Sequence, residues 1–239
     1  MLRSFRFYIS VIVIGLLPCL TYAASLQVFP VNINFAPGEN VKAVYVNNIG
    51  NDPISAQVRV YQWVQSNDND VLTETQNLVV SPPMTAIPAG KQQLLRVIMP
   101  VVPVGKGEQS YKLVVDELPG SADKSGRHAV RFLLRYTLPV FINTPKSALD
   151  MNDFVFHLNT HVSPERLTVE NHGLQHLKLS NVVLSSGQQQ VTLNRGLLGY
   201  VLAHSTRSWS LPKGKYSGST LTFTINDDTT TKTVPIITQ

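Results

Sequence analysis

The chain has a single cysteine, Cys19, and it falls in an N-terminal stretch that does not belong to the fold. The folded part therefore has none, which excludes a disulfide framework, a cysteine nucleophile and a thiolate metal site. Charge is scarce too, at 15% of residues, while hydrophobic residues reach 43%. That balance excludes a disordered chain, which would show the reverse. The formal net charge of +5 falls to +3 once Arg3 and Arg6 are set aside. Such an excess does not argue for nucleic acid, but it leaves room for a local basic site that receives an anion. No Gly-x-Ser-x-Gly elbow and no phosphate-cradling glycine loop occurs, and no stretch of helical period follows residue 24.

The N-terminal stretch has the layout of an export signal. Arg3 and Arg6 supply a positive start, Phe7 to Leu20 is apolar, and Thr21-Tyr22-Ala23 places small residues where signal peptidase needs them. Cleavage after Ala23 is expected, with residues 1–23 removed. A transmembrane anchor is the competing reading, but the apolar run is shorter than the ~20 residues of a spanning helix. A lipoprotein signal at Cys19 is opposed by Pro18, which stands where a small residue is expected. Export leaves about 215 residues to be held by core burial alone, without membrane insertion, as one large β domain or two of ordinary size.

What is present is alternation. Val31 to Phe35, Ala43 to Val46, Ile54 to Val60, Leu94 to Met99, Tyr111 to Val115 and the long Ala129 to Ile142 read as strands, punctuated by Pro, Gly and Asn turns. The second half repeats the style with Arg166 to Asn171, Leu177 to Leu184, and a closing hairpin from Leu221–Ile225 through Asn226-Asp227-Asp228 to Thr233–Ile237. Asn143 to Asp153 lacks alternation and reads as a linker. The expected fold class is all-β, with sandwiches over 24–145 and 146–239.

Several segments carry a family likeness. They are Ser81-Pro82-Pro83-Met84, Ile87-Pro88-Ala89-Gly90, Gln93-Leu94-Leu95-Arg96-Val97, Tyr111 through Pro119, and Leu167-Thr168-Val169-Glu170-Asn171. In this order and spacing they resemble the PapD-like periplasmic chaperones of pilus assembly, over essentially the whole mature chain. The resemblance implies two immunoglobulin-like β-sandwiches in an L-shaped, boomerang arrangement around a cleft. It also implies a periplasmic location, fimbrial or pilus subunits and an outer-membrane usher as partners, and no enzymatic activity, cofactor or nucleic acid. Self-association of the free protein is a further possibility.

The same resemblance gives Ala129–Ile142 a role. Val130, Phe132, Leu134 and Tyr136 share one face, and Arg131, Leu133, Arg135 and Thr137 share the other. The stretch is long against a usual strand of ~5–6 residues, so part of it is expected to be an exposed edge. In the family this strand completes a subunit's unfinished fold by β-augmentation. Val130, Phe132 and Leu134 are then the donor residues, with Tyr136 nearer the domain junction. Family members also hold the subunit's terminal carboxylate between a basic residue on the first strand and a lysine on the donor strand. Here Leu26 to Phe35 has no Arg or Lys, and the lysine position falls near Thr137. Arg135 is the expected substitute, with Arg96 or Arg59 supplying the second charge. This departure resembles divergent branches such as those serving archaic fimbriae. The Gly120–Ser125 loop is expected to order only when a subunit binds.

Metal chemistry and other binding roles were weighed against this. His157 with His161 and His172 with His176 are spaced by four, which on a strand separates them by ~13 Å. Neither pair has the Glu of a zinc-protease motif, so surface histidines near turns are expected. The alternative to a chaperone is an exported fimbrial subunit or adhesin-like sandwich protein. Two complete-looking domains, the lack of a disulfide and a long strand late in the first domain oppose it.

Overall fold

The computed structural model describes residues 26–101, 107–120, 132–145, 147–214, 216, 218–226 and 230–238. The predicted signal segment, Val130 and most of the Gly120–Ser125 loop lie outside the described residues. The first ten strands are β1 (Leu26–Phe29), β2 (Ile33–Phe35), β3 (Val41–Asn48), β4 (Ile54–Ser66), β5 (Asn69–Glu74), β6 (Val79–Ser81), β7 (Met84–Ile87), β8 (Gln92–Ile98), β9 (Gln109–Leu118) and β10 (Arg135–Ile142). They form one sheet in the order β1-β3-β8-β6 and a second in the order β2-β10-β9-β4-β5, with β7 also on β4. Alternate residues of both sheets, among them Val28, Phe35, Val44, Leu95, Val58, Leu113 and Val140, meet in one buried core.

The run from Leu26 to Phe35, expected as one strand, is two. Pro30 and exposed Val31 interrupt it, and the pieces part company: β1 joins β3 in one sheet while β2 joins β10 in the other. Proline has no N–H to give a ladder, so a strand that changes sheets does so there. A second difference concerns the long strand. Regular pairing begins at Arg135, and Phe132, Leu133 and Leu134 precede it outside the strand. Arg135 faces Asp116 on β9, so Phe132 falls level with Pro119, where the neighbouring strand has ended. The ladder stops two residues short of the end of β9 at Leu118, with a single further bond from the Glu117 N–H to the Leu134 carbonyl at 2.9 Å.

The remaining strands are β11 (Phe154–Asn159), β12 (Arg166–Asn171), β13 (Leu177–Ser186), β14 (Gln189–Val201), β15 (Thr206–Ser210), β16 (Thr220–Ile225), β17 (Thr231–Pro235) and β18 (Ile237–Thr238). They build sheets β15-β12-β11-β18 and β14-β13-β16-β17 around a second core that includes Phe156, Leu167, Leu184 and Phe223. β16 and β17 form the expected hairpin. Among the described residues the only helical turn is Met151–Asp153, capped by the Asp150 carboxylate, which accepts from the Asn152 N–H.

The two cores repeat one device. Asn48 closes β3 and Asn171 closes β12, each almost fully buried and followed two residues later by glycine. The Asn48 amide donates to the Asp52 and Ile87 carbonyls while its oxygen accepts from the Gly50 N–H. The Asn171 amide donates to the carbonyls of Gln175, Val201 and Leu202, and its oxygen accepts from Gly173. Each asparagine thus satisfies loop backbone that would otherwise be buried unpaired.

A third, smaller cluster joins the cores: Trp63 and Phe141 from one side meet Leu202 and Tyr200 from the other. Phe141 stacks on His176 with ring centroids 3.6 Å apart. His176 in turn bonds through Nδ1 to Glu108, at 2.8 Å, and Glu108 also accepts from Thr144 Oγ1. His176 is therefore buried, and the expectation of a surface histidine is corrected at this position. On the opposite flank the β4–β5 turn, with Asn67 and Asp68 at φ 50° and 60°, presents Asp68 to Arg166 at 2.9 Å and its carbonyl to Arg207. Gln65 bonds the backbone of both Tyr200 and Leu202.

Asn171→Ala is expected to lower stability by about 2–3 kcal/mol, because several buried carbonyls lose their donor at once. Urea unfolding followed by circular dichroism tests this, and a loss below about 0.5 kcal/mol would contradict it.

Candidate functional site

Period two sorts the β10-β9-β4 surface into an inner and an outer face. Val58 on β4, Leu113 and Val115 on β9, and Leu138 and Val140 on β10 point into the first core. The intervening residues form the outer face: Arg59, Tyr61 and Trp63; Lys112, Val114 and Asp116; Arg135, Thr137, Pro139 and Phe141. Register aligns them in rows. Gln57, Asp116 and Arg135 face one another across the strands, as do Tyr61, Lys112 and Pro139.

The first of these rows, with Arg59 reaching in from the next, carries a charge cluster. The Asp116 side chain is 11% exposed and accepts from Arg59 Nη2 at 2.5 Å and from Arg135 Nε. Burial pushes the Asp116 carboxyl up, but the bonds from Arg135 and Arg59 outweigh it and hold it below the ordinary carboxylate range. Arg59 is held more firmly protonated, chiefly by its bond to Asp116, and it lies over the Tyr61 ring at 5.9 Å. Of the three arginines expected at a basic site, Arg59 and Arg135 thus converge on one carboxylate. Arg96 stands elsewhere: it lies exposed on β8, in the other sheet, between Ala43 and Ser81.

Deeper on the same face is a cation the sequence did not bring forward. The Lys112 ammonium sits 3.5 Å from the Trp63 ring centroid and 5.3 Å from that of Tyr200. Burial lowers its pKa to about 8, with Asp70 opposing that shift. Its sequence neighbours mark it as part of a strand, but only strand order places it beside Trp63 and across from the second sandwich.

The edge of β10 is the other feature. All eight of its residues pair with β9, whereas only Val140, Phe141 and Ile142 pair with β2. Among the described residues, the second edge of Arg135–Pro139 has no partner strand. Pro139, which cannot donate to a ladder, is tolerated at such an edge. Just before it, Phe132 is 77% exposed. Leu134 and Tyr136 turn the other way, half-buried against the first core, with the Tyr136 hydroxyl donating to the Leu26 carbonyl at 2.9 Å.

Among the described residues the histidines do not assemble a metal site. His157 and His172 both approach Glu170, at 3.2 and 3.4 Å, and no group of metal-ligating side chains occurs among the described residues.

Asp116 has a folded pKa below its unfolded value, so the stability it contributes is present above the unfolded pKa and lost as pH falls through the folded one. Asp116→Asn is expected to cost about 1–2 kcal/mol at pH 7, a charge-assisted bond discounted for the exposure of both arginines. The deficit should shrink toward pH 3, measured by urea unfolding at the two pH values. A pH-independent deficit would contradict the assignment.

Residues 25–148 match the family described as pili and flagellar-assembly chaperone, PapD N-terminal domain. No curated protein matches. Among solved structures, the CsuC–CsuE chaperone–tip subunit pre-assembly complex from the archaic Csu pili of Acinetobacter baumannii is similar, with TM-score 0.70 and 24% identity over 90% of this chain and 100% of that one. The YadV chaperone gives TM-score 0.65 at 14% identity over 89% and 100%. The Salmonella enterica SafA pilin–SafB chaperone complex gives 0.65 at 15% over 92% and 100%. The half-paired strand and its charge row thus lie within the matched segment, and the chain belongs to the PapD-type family of pili and flagellar-assembly chaperones.

Proposed function

We propose that the chain is a periplasmic chaperone that binds fimbrial subunits by donor-strand complementation and delivers them to an outer-membrane usher. The observation that carries this reading is the open edge of β10, which offers backbone groups to an added strand beside exposed Phe132. Val130 and Phe132 enter the subunit's groove first, and Leu134 and Tyr136 do so by leaving the chaperone's own core surface. Arg135 and Arg59 form the basic site that meets the subunit's terminal carboxylate. With Asp116 between them they retain one net positive charge. Arg96 is left to other contacts. The subunit is held soluble until the next subunit's extension displaces the lent strand, and no step needs a nucleotide or catalysis. Without a client, the same edge pairs with a second copy of the chain. The N-terminal signal supplies export to the periplasm.

Co-expression with a candidate fimbrial subunit and purification from the periplasm tests this. Wild type is expected to yield a soluble one-to-one complex, Phe132→Asp none, and Arg135→Ala at least about tenfold less. Equal yields from all three folded proteins would remove the lent strand from this segment.

A further inference from the structure

Asp116 holds two arginines on the outer face of β9, while its neighbour Glu117 points to the other, core-facing side. There it follows Leu113 and Val115 in the same alternation, and it is only 6% exposed. A carboxylate at a core position is unfavourable unless something there needs an acceptor. One group that does is backbone at the start of the strand to be lent: the Leu134 N–H donates to Glu117 Oε2 at 3.4 Å.

This bond stands where a ladder bond belongs. In an antiparallel pair, every second pair of facing residues exchanges two bonds, N–H to C=O in both directions. Counting back from Arg135 opposite Asp116, Leu134 faces Glu117. It belongs to an exchanging pair, because the Glu117 N–H donates to the Leu134 carbonyl at 2.9 Å. The return bond goes to the Glu117 side chain instead of its carbonyl. The next exchanging pair would be Phe132 with Pro119, and proline has no N–H to give. Two successive rungs are thus weakened by different chemistry. The cause is not fraying of β9, which stays paired with β4 as far as Leu118, opposite Ser55.

We propose that Glu117 is a positioning residue that sets the boundary between the part of the strand the chaperone keeps and the part it lends. Its carboxylate takes the Leu134 N–H that would otherwise continue the ladder, so β9 does not consume the strand before a client arrives. Phe132 and Leu133 are left exposed as a result. The inference rests on the strand-donation reading and deepens it: the edge supplies the strand, and Glu117 fixes how much of it is available. A side-chain acceptor suits that task. It releases the N–H by turning about its own bonds, whereas a backbone rung opens only when two strands part.

The full mature protein is compared as wild type, Glu117→Gln and Glu117→Leu. Glutamine keeps an acceptor oxygen, and leucine fills a similar volume without one. By NMR, the wild-type Leu134 N–H proton is expected to contact the Glu117 Hγ protons. The Hα protons of Leu133 and Leu118, which approach each other only across a closed ladder, should show no contact in wild type or Glu117→Gln and a clear one in Glu117→Leu. On co-expression with the candidate fimbrial subunit, Glu117→Leu should give about tenfold less one-to-one complex, the equivalent of one added rung. Glu117→Gln should give about the wild-type yield. A merely structural role predicts lost yield without the new contact, and that result in a folded Glu117→Leu overturns the proposal. So does full yield from Glu117→Leu, or a Glu117→Gln yield as low as that of Glu117→Leu. If Glu117→Leu does not fold, the wild-type spectra decide alone: a Leu133–Leu118 contact, or none between Leu134 and Glu117, overturns the boundary role. These spectra judge Glu117 without any client. Equal yields from wild type, Glu117→Leu and Phe132→Asp would instead remove strand donation itself.

Discussion

A β-strand has two edges, and its backbone groups on both must find partners or water. β10 satisfies one edge along its full length and the other only at its last three residues. Soluble proteins usually blunt such an edge with charge, proline or a short strand. Arg135 and Pro139 are devices of that kind, yet Phe132 and Leu133 stand exposed immediately before them. The combination limits random pairing along the strand while keeping an apolar handle at its start. It is a selective edge rather than a neglected one.

Magnitudes show why side chains alone do not hold a client. Fully burying Phe132 and Leu133 is worth ~1.5–3 kcal/mol each. Leu134 and Tyr136 add less, because they exchange one half-buried contact for another. Association costs ~4–15 kcal/mol in lost freedom. The backbone ladder and a charge anchor must supply the difference. Exposed ion pairs rarely contribute more than ~1 kcal/mol, so the anchor has to lie where water is partly excluded. On this face the Asp116 carboxylate and the Lys112 ammonium are the charges withdrawn from water, whereas Arg96 is exposed.

Local pattern made much of this legible. Alternation located most of the strands, and within β10 parity separated half-buried Tyr136 from the face bearing exposed Arg135. Asn-x-Gly at residues 48–50 and 171–173 was visible as turn chemistry, though the buried network around each asparagine was not. What alternation does not contain is which strands are neighbours. Arg59 and Arg135 are 76 positions apart in sequence order and meet only because β9 lies between β4 and β10. Asp116 read as the end of a strand, and Lys112 as one polar position among many. Both became prominent through lateral pairing, as did His176, whose surface expectation failed because a neighbouring sandwich covers it.

The second sandwich acts on the edge through β10 itself. Phe141 belongs to the strand whose free edge begins only two residues earlier, at Pro139, and its ring stacks directly on His176 of the other sandwich. Glu108, at the start of the neighbouring strand, ties His176 a second time, and the Asp68 turn ties the opposite flank. Contacts at both flanks of one face resist rotation as well as separation, which a single central patch would not. The wall carrying Tyr200 is thereby held beside the Lys112 ammonium, 5.3 Å from the Tyr200 ring centroid. Preorganisation of this kind reduces the freedom lost on binding, which is the term that the exposed side chains alone do not offset.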